Sequence, residues 1–356
     1  MNRAHLAVAG TALAVLSLTS TARAQPPRPA PVPPAPVLLE LRINPLMDLH
    51  YWVRKLGSEK KELPAVEGLP AAVAAARQVG ETLPGMASWG ILDAPFTEAG
   101  SASELAHVAT QLPETFTSRD GKSLPLRQDL AGLATGYQAV EKGFLATVWP
   151  GHREVAERAA AALKKELFPK APAVYAEIAR RLDLPLPVPE APLPIYLVAA
   201  APFPGAFTNF TREGPFSVVA LEGEPDSQWV EIVVHETIHA LDIKAKEGSV
   251  LAELRRRLAQ VPGASPQEAH DFVHTVMFVQ AADAVRRVLD PSHKDYGDVR
   301  GYYGRVGRAA TVVVPAWREY LDGKVTRDAA MAKIVAGFAE GLPKKEKGDP
   351  KAAPSR

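Results

Sequence analysis

The chain has 356 residues, with 41 Lys+Arg against 40 Asp+Glu, 47% hydrophobic residues and 23% charged ones. Those proportions suit a globular protein with a sizeable core, and the balanced charge lacks the footprint of a nucleic-acid or anionic-membrane partner. Cysteine is absent, which excludes disulfides, a thiol nucleophile, cysteine-ligated zinc and an iron–sulfur cluster.

Residues 1–24 read as a signal peptide. Arg3 and His5 precede an apolar run from Leu6 to Leu18, and Ala22-Arg23-Ala24 gives a small-x-small cleavage site, so Gln25 becomes the new N-terminus. The run is shorter than the roughly 20 apolar residues a membrane span needs, and no second run follows. The expected location is therefore periplasmic or secreted, from a bacterial cell. Residues 25–36 hold seven prolines in twelve positions, the composition of a stiff, extended linker. Helical patterning fills the next stretch: Leu46–Leu56, Ala71–Val79, Ala102–Leu112, Leu126–Val148, His152–Phe168 and Ala173–Leu182. Prolines at 185, 187, 189, 192 and 194 then break the register. Residues 37–190 are accordingly expected to form an N-terminal helical region, with a boundary or a long connector near 190. Two β-rich runs follow, Ile195–Val198 and Phe216–Leu221. Helices are expected again from Asp226 through Lys246 and over about 266–289, 309–321 and 326–339. Residues 343–356 read as a solvated, disordered tail. The fold class is a mostly helical α+β chain whose small sheet lies just upstream of one helix.

That helix carries His235-Glu236-Thr237-Ile238-His239, an H-E-x-x-H pattern. Four residues on a helix turn the chain by about 400°, so the two histidines lie one turn apart on one face. Two imidazoles so placed can reach one Zn²⁺, while Glu236 points beside the ion, where a general base for an attacking water belongs. Val230, Val233, Val234, Ile238 and Leu241 make the helix apolar, which sets the polar triplet in a cleft rather than on a wet face. Two histidines leave a zinc site one protein ligand short. Asp242 and Ala245 stand where a metzincin would have Gly and His, so that subclass is excluded. The third ligand must come from further along, and 265–274 offers Glu268, His270 and His274. Here Ser265 can cap a second helix, Pro266 suits its first position and Glu268 completes a capping box.

The segment His235–His239 resembles the zincin superfamily of metallopeptidases. Taken with His274–Arg287 and Tyr296–Tyr303, the chain from about 226 to 340 is similar to uncharacterised exported bacterial members of that class, and the likeness does not extend to 37–190. The resemblance implies a zincin-like region over 191–342 and a zinc-dependent hydrolase with its third ligand on the second helix. Among the candidates, Glu268 is occupied by the cap and His270 sits within the first two turns, where the helix end frays more readily. His274 lies deeper, amid Val273, Val276, Met277 and Phe278, and is the expected ligand.

Asp242 is a candidate to orient a ligand imidazole. Tyr296, Tyr302, Tyr303 and Arg305 are candidates to stabilise the oxyanion formed when water attacks a carbonyl, with Tyr303 first. The expected activity is that of a zinc metallopeptidase on a peptide or protein substrate. Two rivals are a non-enzymic zinc-binding or scaffold protein of the same fold, and a hydrolase of non-peptide amides. Glu236 argues against the first, because a structural site needs no base.

Overall fold

The computed structural model describes residues 38–342 apart from 60, 84–85 and 118–122. The expected signal peptide, proline-rich linker and C-terminal tail lie outside the described residues. In chain order the first half comprises β1 (Leu39–Arg42), α1 (Pro45–Ser58), α2 (Leu69–Thr82), α3 (Met86–Asp93), α4 (Ala102–Gln111), β2 (Phe116–Thr117), β3 (Ser123–Leu124), α5 (Leu126–Thr147), α6 (Trp149–Glu166) and α7 (Ala171–Leu182). The second half comprises β4 (Leu193–Val198), β5 (Ala206–Phe210), β6 (Pro215–Ala220), α8 (Trp229–Ala245), α9 (Val250–Ala259) and α10 (Pro266–Val288). It ends with α11 (Tyr296–Val299), α12 (Tyr302–Val306), α13 (Arg308–Leu321) and α14 (Arg327–Glu340). The chain is thus mostly helical α+β, with one four-stranded sheet in the order β1-β4-β6-β5.

β4 and β6 are the central strands, and every residue of β6 is buried. β4 pairs in parallel on both sides, with β1 (Leu39 with Leu193) and with β6 (Ile195 with Ser217). A parallel pair with continuous apolar sequence needs cover on both faces, and side chains alternating along the strand supply two of them. Ile195, Leu197 and Val219 join a core with α6, α7, α8, α10 and α13. Tyr196, Val198, Phe216 and Val218 join a second core with α1, α2, α4 and α5. The sheet is therefore the middle layer between two helical layers.

The two cores do not part at residue 190, since each draws residues from both sides of it. The proline-rich stretch is a connector over the surface and not a boundary between cores. β1 crosses back to pair with β4, and α6 and α7 pack with the second half of the chain. The proline signal was real; a connector between layers and a linker between domains share the same composition. β1, β2, β3, β5, α3, α9, α11 and α12 were not expected. β5 returns antiparallel to β6 through a turn in which Thr211 N–H donates to the Gly214 carbonyl at 2.8 Å, with Gly214 at a φ of 142°.

Beneath β5 lies a buried polar cluster that ties the first helical layer to the sheet edge. Asp93, at the end of α3, accepts from Tyr51 Oη at 2.8 Å, Arg54 Nη1 at 3.0 Å and Asn209 Nδ2 of β5 at 2.8 Å. His50 Nε2–H donates to Asp93 at 2.9 Å, and its Nδ1 accepts from Tyr137 Oη at 2.8 Å, which requires the neutral ring. Burial pushes the His50 imidazole down to about 4, against the pull of Asp93. The sign follows: below its ordinary value of 6.5 the unfolded chain takes up a proton that folded His50 refuses until about pH 4. This contribution is complete above pH 6.5 and is lost as pH falls, by about 2 kcal/mol between pH 7 and pH 5. Urea midpoints at the two pH values should record that loss, and His50→Gln should flatten it; an unchanged slope in the variant would assign the pH dependence elsewhere.

Candidate metal centre

α8 is buried on nearly all sides, since it packs against β5 and β6 on one flank and α10 on another. A helix in that position presents polar residues to the interior only where they converge. His235 and Glu236 are 3% and 4% exposed. Across from them, α10 starts at Ser265, whose hydroxyl accepts from Glu268 N–H at a long 3.5 Å. The Glu268 carboxylate does not close the expected capping box; it pairs with Arg308 of α13. That pairing takes Glu268 out of contention as a ligand.

The rigid core of α10 brings His274 to the two histidines of α8. His235 Nε2 lies 3.0 Å from His274 Nε2 and 3.2 Å from His239 Nε2, and one ligand atom from each of the three lies within 4.8 Å of the others. Nitrogens bound at about 2.0–2.1 Å around a tetrahedral ion stand roughly 3.3 Å apart, so the donor set fits zinc-like coordination. Burial, reinforced by the mutual proximity of the rings, drives His235 and His274 well below the ordinary imidazole range. Burial, with His270 and Arg255 adding to it, brings His239 to about 3. All three are neutral imidazoles, the form that ligates metal. Without an ion, either one ring would have to donate to another in each close Nε2 pair, or unprotonated lone pairs would face one another in one small volume. His270 lies outside this set, its ring stacked on His274 with centroids 5.3 Å apart.

Glu236 lines the same cavity. Thr208 Oγ1, on β5, donates to its Oε2 at 2.6 Å and lies 2.9 Å from Ser217 Oγ. Burial raises the Glu236 carboxyl to about 7, with the Thr208 hydrogen bond acting the other way. The carboxylate is thereby held in one place and can both accept and give up a proton near neutrality.

The cavity measures about 490 Å³ and lies between β5, α8, α10 and the segment 296–306. Phe278 forms its aromatic heart. It stacks on His235 with centroids 3.9 Å apart, and packs on Tyr302 at 4.1 Å and Tyr296 at 5.8 Å. Glu231, one turn before His235, accepts from His293 Nε2 at 2.6 Å and from Tyr296 N–H at 2.8 Å, which fastens this wall to α8.

Tyr302 is the tyrosine beside the three histidines, and Tyr303 is not. Tyr302 Oη lies 3.2 Å from His274 Nδ1, so it can accept from that nitrogen and leave Nε2 free to ligate. Tyr303 packs its ring over Gly297, away from the cavity lining, with its hydroxyl buried and, among the described residues, without a hydrogen-bond partner. The two adjacent residues differ by about 100° around a short helix, and sequence alone did not fix the phase of α12. Asp242 does not orient an imidazole either. It takes the Ser249 hydroxyl and pairs with Arg255, joining α8 to α9. Arg305 does line the cavity.

Sequence reasoning missed Thr208 because it missed β5. The signal was present in Ala206-Phe-Thr-Asn-Phe210, a β-prone run joined by a short Gly-bearing turn to an expected strand. Set against known protein families, curated proteins and solved structures, the chain matches none.

Proposed function

We propose that this chain is an exported zinc-dependent hydrolase, a metallopeptidase of zincin type, in which His235, His239 and His274 hold the ion. The observation that carries the reading is the convergence of three neutral imidazoles beside a buried carboxylate in an open cavity. Zinc held there would lower the pKa of a coordinated water towards about 7 and polarise the carbonyl under attack. Glu236 takes a proton from the attacking water and delivers one to the leaving nitrogen. Thr208 holds its carboxylate for both transfers, and Tyr302 fixes the ring of His274. The outer edge of β5, unpaired with any strand among the described residues, offers backbone groups to an extended substrate. The buried base and the open cavity favour this reading over a purely structural zinc site, which fills its fourth position with protein.

Metal analysis of the purified protein, followed by a peptide-library digest with and without chelator, tests the reading. Zinc near one equivalent and chelator-sensitive cleavage are expected; cleavage indifferent to chelator would remove it. His274→Ala should lose most of the zinc while His270→Ala keeps it. Zinc retained in the first variant and lost from the second would move the third ligand to His270.

A further inference from the structure

Among the described residues that line the cavity, Arg305 is the only Lys or Arg. Its guanidinium lies 5.0 Å from the ring centroid of Phe203 and 6.0 Å from that of Tyr302. Among the described residues it has no salt bridge and no side-chain hydrogen bond. The neighbouring Glu224 is engaged by Arg300 at 3.1 Å and by Tyr296 Oη at 3.2 Å. A cation so placed has its flat faces held by aromatic rings and its forked donors free, which is the arrangement that receives a carboxylate.

The geometry points to Arg305 as the receptor for the C-terminal carboxylate of a peptide, which makes the enzyme a carboxypeptidase-type hydrolase acting at chain ends. This rests on the metallopeptidase reading above. Two distances set the reach. The guanidinium stands 6.0 Å from Tyr302, whose ring is 5.7 Å from that of His274. That puts the cation within about 12 Å of the ligand ring, room for one or two extended residues at about 3.5 Å each plus the ionic contact. The direction of the peptide follows from charge. Arg305 pairs with Phe203, just before the start of β5 at Ala206, whereas the far end of β5 runs out to Phe210. A peptide laid antiparallel along β5 brings its C-terminus to the Phe203 end, where Arg305 attracts it. A parallel peptide would bring its ammonium group there and be repelled. In the reaction the C–N bond breaks and the water oxygen bonds to the acyl carbon. Both water protons end on the released amine, leaving a new carboxylate on the shortened peptide. The product is a free amino acid or a dipeptide, and the aromatic wall of Phe278, Tyr296 and Tyr302 suits an apolar side chain on it.

The test compares an N-acetylated tetrapeptide ending in two phenylalanines, as the free acid and as the C-terminal amide, on zinc-loaded enzyme. The acid should be cleaved with a kcat/KM at least about tenfold higher, releasing phenylalanine or diphenylalanine, and Arg305→Ala should bring the acid-to-amide ratio close to one, chiefly through KM. Calorimetry of both peptides on the metal-free protein gives a second readout, with tighter binding of the acid by wild type and none of that preference in the variant. Equal cleavage of acid and amide by wild type, or an equal fall for both in Arg305→Ala, overturns the proposal while leaving the peptidase intact. Cleavage of neither peptide, with the acid still preferred in binding, places the failure in the peptidase reading instead.

Discussion

Glu236→Gln is expected to keep its zinc and to lose at least about a hundredfold in turnover, since a positioned acid–base group contributes roughly 10²–10⁴. Glutamine has the same shape and still accepts the Thr208 hydrogen bond through its amide oxygen, so the cavity is preserved. What it lacks is the ability to take a proton and return it. Because no histidine of the metal set is altered, metal analysis and rate measurement separate the two roles. Turnover near that of wild type would remove Glu236 from the chemistry.

Asp93→Ala is expected to cost about 3–5 kcal/mol of stability, the toll of leaving a buried charge without its partner. Arg54 is 7% exposed and loses its carboxylate, while His50, Tyr51 and Asn209 each lose an acceptor. Against a total stability of about 5–15 kcal/mol, that loss is large enough to populate unfolded chain. A urea titration of wild type and variant measures it. Asp93→Leu combined with Arg54→Met should be milder than Asp93→Ala alone, because no uncompensated charge remains. A single-variant loss below about 1 kcal/mol would show that water reaches the cluster and replaces the carboxylate.

The parts of the centre legible in the sequence were those carried by spacing within one element. His235, Glu236 and His239 declare themselves because four residues make one helical turn. His274 emerged because the residues around it are apolar and a ligand needs a fixed setting. Tyr302 and Thr208 were harder for different reasons. The phase of a helix as short as α12 is set by the glycines and contacts around it rather than by periodicity. Thr208 matters only because β6 pairs with β5, and that pairing puts a strand residue beside a helix residue 28 positions later. The helices that were expected appear where apolar periodicity puts them, within a few residues at their ends, whereas α3, α9, α11 and α12 gave no such signal. The layering was not legible, because a buried strand reads alike whether one helical layer covers it or two.

The pairing of β1 with β4 also sets a kinetic order. These strands lie side by side, yet α1 through α7 separate them along the chain. β4, β5 and β6 are close in sequence and meet at small cost in loop entropy, whereas β1 must wait until everything between has been drawn together. The strand nearest the N-terminus is thus among the last to find its place, and until it does the backbone of β4 stands open along one side as a ready template for a foreign strand. In physical terms the vulnerable interval in the folding of this protein falls between the meeting of β4, β5 and β6 and the closing of β1.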